Sequence, residues 1–209
     1  MLVSMEPSLK KSCFRSSSDE LVQDTGVKTY MTKQVMLQTY ETAKDCIQTN
    51  YYGTKNVTEA LLPFLSLSSS PRIINISSGL EKIENIKDEK ASKMLSDVDG
   101  LTEEILKEVV TEFLNDVKEG SLEEKRWNTL LSAYMVSKAI VNAYTRILAN
   151  KYQSLCINAF NPGFTKTDMT RHKGMYTVEE GARGAVRLAL IPDDGPSGCF
   201  FFQMEETTF

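Results

Sequence analysis

The sequence predicts an α/β fold with a parallel sheet, and three observations predict it. Two short β-branched runs, 72–77 and 155–160, read as strands buried on both faces. Segments of helical periodicity alternate with them, as crossover connections require. Both runs end in turn residues, Ser77-Ser78-Gly79 after the first and Asn161-Pro162-Gly163 after the second.

Residues 1–25 are polar and serine-rich and read as an irregular segment. A helix is expected from about Thr32 toward Gly53, with Met36, Tyr40, Ala43 and Ile47 at helical spacing. A second helical piece follows through Val57, Leu61 and Leu62, and Pro71 then opens the first strand. Residues 81–127 form an acidic insertion, with 14 Asp and Glu against 8 Lys and Arg. Within it 101–118 reads as a helix, with Ile105, Val109, Phe113 and Val117 as its apolar stripe and Gly120 beyond its end. Ser132 is the expected cap of a helix running from Tyr134 to about Asn150. After the second strand, Thr177 or Val178 opens a helix whose apolar period is Ala182, Val186 and Leu190. Residues 198–203 read as a last strand, and no internal repeat is visible.

Composition narrows the function. The 209 residues suffice for one sizeable core. A net charge of −4 without a basic stripe gives no footprint for nucleic acid, and no apolar run is long enough to span a membrane. The four cysteines show no CxxC pair, so zinc has little support and a reduced, cytoplasmic compartment is expected. The only histidine, His172, lies in a polar stretch and reads as a surface loop residue. Metal catalysis through histidines and a Ser-His-Asp triad are thereby disfavoured.

Tyr134 and Lys138 stand four apart and share one helix face. A nearby ammonium lowers a phenol's pKa from its ordinary value of about 10, which suits the phenol to protonating a carbonyl oxygen. The same spacing occurs at Tyr40 and Lys44 and at Tyr51 and Lys55. In a parallel sheet, ligands bind beyond the carboxyl ends of the strands. Only Tyr134 starts a helix leading into such a strand; the other two tyrosines read as packing residues with solvated lysines.

The ordered set Asn50, Ser78, Tyr134, Lys138 and Pro162-Gly163-Phe-Thr165-Lys-Thr167 resembles the short-chain dehydrogenases/reductases. A gap of 28 residues separates Asn50 from Ser78, and 56 separate Ser78 from Tyr134. The second gap resembles the monomeric carbonyl reductase branch. Tyr40-Glu-Thr-Ala-Lys-Asp-Cys46 and Gly195-Pro-Ser-Gly-Cys-Phe200 are similar to its plant salutaridine reductase and neomenthol dehydrogenase group. The resemblance implies the C-terminal part of a Rossmann-like doubly wound sheet, over residues 26–209, with the first βαβ units missing.

It further implies NADP(H)-dependent reduction of a small hydrophobic ketone or aldehyde to an alcohol. Tyr134 is then the general acid. Lys138 lowers its pKa and holds the cofactor ribose, Ser78 positions the carbonyl, and Asn50 keeps a helix kinked and holds a relay water. Pro162, Gly163, Thr165 and Thr167 bracket the nicotinamide. The resemblance implies a monomer, because the acidic insertion covers the surface other members use to dimerise.

Two features of the family are absent from the sequence. There is no glycine-rich Thr-Gly-x-x-x-Gly-x-Gly turn and no Asn-Asn-Ala-Gly strand end. On the order of 100 family residues are expected upstream of what is present. The alternative reading is therefore a fragment without catalysis, or an interaction protein lacking the half that binds the cofactor phosphates.

Overall fold

The computed structural model describes residues 2–3, 38–80, 85–203 and 205–207. A five-stranded sheet runs in the order β1 (Leu2–Val3), β2 (Arg72–Ile76), β3 (Cys156–Asn161), β4 (Phe200–Phe202), β5 (Glu205–Thr207). The first four strands are parallel, and β5 returns antiparallel on β4. The three expected strands are present, and two short edge strands extend them. Leu2–Val3 lies in the segment read as irregular, yet it pairs with Ile74 and Asn75 of β2. Two residues carry too little periodicity to signal a strand.

The pleat divides the core. Ile73 and Ile157 point to one face, where α1 (Tyr40–Ile47), α4 (Glu103–Glu119) and α5 (Ser132–Lys151) contribute to the main cluster. Ile74 and Phe160 point to the other, under Ala185 and Leu188 of α6 (Val178–Ala189). Covering both faces is what a parallel sheet needs.

The helix expected to end at Gly53 does not stop there. It passes from α1 through a π-helical turn, Gln48–Tyr52, into α2 (Gly53–Leu65). The Gly53 N–H donates to the Gln48 carbonyl, five residues back, which widens the helix by one residue. The part of that expected helix before Gln38 lies outside the described residues.

The acidic insertion holds α3 (Glu89–Ser96) and α4. Thr102 caps α4, and Gly120 ends it in the left-handed region at φ 71°. Its buried stripe is Leu106, Val109, Val110 and Phe113, rotated from the one expected; Ile105 and Val117 are only half-buried. Phe113 meets Trp127 edge-on at 5.1 Å, and the Trp127 indole N–H donates to Asp116 at 2.8 Å.

In α6 the expected stripe faces solvent: Ala182, Val186 and Leu190 are exposed. The buried face is Gly181, Gly184, Ala185 and Leu188. A Cβ on Gly184 would come within 2.0 Å of the Gln203 carbonyl oxygen and 2.2 Å of the Phe160 ring. Close approach to the sheet therefore selects glycine, which a hydrophobicity period does not count.

Candidate active site

The site lies at the carboxyl ends of β2 and β3, beside the first turns of α5. Ser77 and Ser78 follow β2 directly. Ser77 is buried; its N–H donates to the Phe160 carbonyl at 2.7 Å, while its hydroxyl oxygen is buried with no hydrogen-bond partner. Ser78 is half-buried, and its hydroxyl accepts from the Leu80 N–H at 3.3 Å. Gly79 then lies against Asn161, whose Nδ2 would sit 2.7 Å from a Cβ there. Asn161 in turn accepts from the Gly163 N–H at 2.8 Å. The loops leaving β2 and β3 thus meet through one asparagine, Asn161, which the sequence marks only as part of a turn.

Tyr134 is the third residue of α5 and is half-buried. Lys138 lies one turn on, with Nζ 5.9 Å from the Tyr134 ring centroid. Its ammonium donates to the Ile76 carbonyl at 2.9 Å, fastening the Tyr-Lys face to the end of β2 two residues before Ser78. One hydrogen bond thus joins the elements that carry Ser78 and Tyr134.

Asn50 occupies the π-helical turn. Its amide donates to the Ser137 hydroxyl at 2.9 Å and to the Cys46 sulfur at 3.5 Å. Ser137, fully buried, donates in turn to the Tyr134 carbonyl at 2.7 Å. Sequence reading missed Ser137, although it sits directly before Lys138.

The loop after β3 closes on itself. Gly163 adopts φ 73°, a conformation costly for residues with a Cβ, and a Cβ there would stand 2.7 Å from the Tyr176 ring. Thr165 is buried, and its hydroxyl donates to the Pro162 and Gly163 carbonyls at 3.1 and 3.2 Å. Thr167 caps the 3₁₀ turn Asp168–Thr170. His172 is exposed and lies 3.2 Å from Asp168, as a surface residue would. Among the described residues, no group of three or more His, Cys, Asp or Glu is placed to hold a metal ion.

The other two Tyr/Lys pairs have different surroundings. Tyr40 is half-buried and Lys44 exposed. Tyr51 is buried, edge-on to Tyr144 at 5.8 Å. Lys55 is not simply solvated: it binds Glu59 and Glu103, tying α2 to α4. Burial opposes its charge, but the two carboxylates outweigh that and hold its pKa above the ordinary lysine value.

No family model matches the sequence. The chain is 45% identical over 195 residues to (+)-neomenthol dehydrogenase of Arabidopsis thaliana, covering 93% of this chain and 66% of that protein. The structure of salutaridine reductase from Papaver somniferum superimposes with a TM-score of 0.79 at 48% identity, over 81% of this chain and 57% of the other. The chain belongs to the short-chain dehydrogenase/reductase family. A mouse relative, carbonyl reductase [NADPH] 3, is 40% identical over 160 residues, 73% of this chain and 56% of that protein. The chain therefore spans between about half and two thirds of the length of the relatives it matches. As a short-chain dehydrogenase/reductase, it presents its Tyr-Lys helix, its strand-end serines and its Pro-Gly loop on one sheet edge.

The nicotinamide end of a dinucleotide fits this edge. The Gly163 loop brings backbone to the end of β3, and the unpartnered Ser77 hydroxyl is buried at the end of the adjoining strand. No two glycines in the sequence are separated by a single residue, the spacing of a glycine-rich turn that cradles a pyrophosphate.

Proposed function

We propose that this chain carries the carbonyl-reducing centre of an NADPH-dependent oxidoreductase acting on a small, apolar ketone or aldehyde. The observation that carries the reading is the Lys138 to Ile76 hydrogen bond, which sets Tyr134 beside the strand end bearing Ser78. NADPH is favoured by the name of the mouse relative, and an apolar ketone by the plant relatives' names.

The bound cofactor's chemistry is hydride delivery to the carbonyl carbon. Tyr134 then gives its phenolic proton to the carbonyl oxygen, or removes it in the reverse direction. Ser78 donates a hydrogen bond to that oxygen and fixes its position. The Lys138 ammonium favours the phenolate left on Tyr134 and has further donors for ribose hydroxyls. Asn50 holds the π-helical turn against α5 and keeps a relay water in place. Pro162, Gly163 and Thr167 would border the nicotinamide, and Thr165 would act by holding the loop's shape.

The test is titration of the purified protein with NADPH, followed by melting temperature and by Trp127 fluorescence. Saturable binding with a raised melting point is expected. No shift at millimolar NADPH would sink the claim that this chain is itself an oxidoreductase. It would favour the second reading, a fragment without catalysis, which rests on the missing glycine-rich turn.

We further propose a monomer, since α4 already covers α1 and α5, and a cytoplasmic location in keeping with the free thiols of Cys156 and Cys199. A stable dimer in size-exclusion chromatography would refute the former.

A further inference from the structure

We propose that Gln38 is a positioning residue for Tyr134: it is the N-terminal cap of α5, supplied from the residue preceding the cap of α1. The start of α5 lacks a local cap. Leu131 occupies the cap position and makes no side-chain bond. The Asn128 side chain serves the Leu130 and Leu131 N–H groups, before the helix begins. Intrahelical bonding starts only with Met135 N–H to the Leu131 carbonyl. The amides of the first turn need partners from elsewhere.

Gln38 supplies one such partner, and a second bond to the turn, from 94 to 95 residues away in sequence. Its Oε1 accepts from the Ala133 N–H at 2.8 Å, and its Nε2 donates to the Ser132 hydroxyl at 2.7 Å. Ser132 and Ala133 are only 1% and 4% exposed, so water cannot readily replace either bond. Tyr134 is the next residue. Thr39, adjacent to Gln38, caps α1 itself, so one dipeptide starts two helices. On the far side of Tyr134, Asn50 grips Ser137. The helix that runs through the π turn thus holds α5 by polar bonds on both sides of Tyr134, with buried Ala43, Cys46 and Ile47 between them. An apolar side chain at 38 would keep contact but leave the Ala133 amide unbonded. A glutamate could still accept from both Ala133 N–H and Ser132 O–H.

This inference rests on the reading of Tyr134 as the acid, but its test needs neither cofactor nor turnover. Amide exchange and the NMR signal of [13Cζ]tyrosine are followed in the wild type, Gln38→Leu and Gln38→Glu, with Tyr134→Phe assigning the Tyr134 line. In Gln38→Leu the Ala133 amide should exchange about tenfold faster, and the Tyr134 line should shift or broaden while that of Tyr144 stays. Gln38→Glu should restore Ala133 protection and a single Tyr134 line. Unchanged exchange in Gln38→Leu overturns the cap, and faster exchange with an unmoved Tyr134 line overturns the positioning role. If Gln38→Leu does not fold, loss of Ala133 protection in a folded Gln38→Glu overturns the proposal. Unimpaired carbonyl reduction by Tyr134→Phe would instead defeat the reductase reading and leave the cap standing.

Discussion

Tyr134 and Lys138 are chemically no different from Tyr51 and Lys55; their surroundings give them different work. Tyr51 is buried against Tyr144, and burial first, then nearby Glu103, pushes its phenol well above the ordinary range. That phenol is a poor proton donor. Tyr134 instead sits half-buried at a sheet edge beside an ammonium. Tyr134→Phe should lower NADPH-dependent ketone reduction at least a hundredfold while leaving the melting temperature within about 2 °C; absorbance of NADPH and a thermal scan check both. A separate site reports the same electrostatics. Burial, and then Glu206, push the Cys199 thiol up to about 11. Because the thiolate is the reacting form, alkylation of Cys199 near pH 8 should be at least tenfold slower than that of a free thiol. Glu206→Gln should speed it, as mass spectrometry of iodoacetamide-treated protein would show.

At the scale of elements, the sheet face decides which side of a helix is buried. On α6 the close contact of Gly184 with Phe160 and the Gln203 carbonyl leaves no room for a side chain. Gly184→Val should therefore destabilise the fold by about 1–3 kcal/mol or more, through overpacking, read as a lower urea midpoint. On α4 the anchor is Phe113, fully buried and packed on Trp127. Phe113→Ala should cost about 3–5 kcal/mol and shift Trp127 emission to the red, since the indole loses its neighbour. An unshifted emission would mean that the insertion is not held by this contact.

Across the whole molecule, the sheet and its helices leave apolar helix faces uncovered among the described residues, one on α6 and one on α2. On α2, Val57, Leu61 and Phe64 are exposed at helical spacing, Phe64 by 68%, and Leu67 lies just beyond the helix end. Such a stripe favours association with other apolar surfaces. Replacing Leu61 and Phe64 by glutamate should raise solubility without lowering the melting temperature by more than about 2 °C. Light scattering over a concentration series checks the first, a thermal scan the second. The π turn, the two edge strands and the rotated stripes of α4 and α6 are not written in any local period.

The sequence by itself determined the α/β class, the three inner strands and the family, because β-branched runs and ordered motifs are local in the chain. It also singled out Asn50, Ser78, Tyr134 and Lys138. Only the tertiary structure decided what those residues touch. The Lys138 to Ile76 bond, the Asn50 to Ser137 bond and the Gln38 cap join residues 62, 87 and 95 apart, and no sequence period encodes a contact at such separations. The same holds for the glycine face of α6, where backbone proximity to the sheet, and not hydrophobicity, fixes which side faces inward.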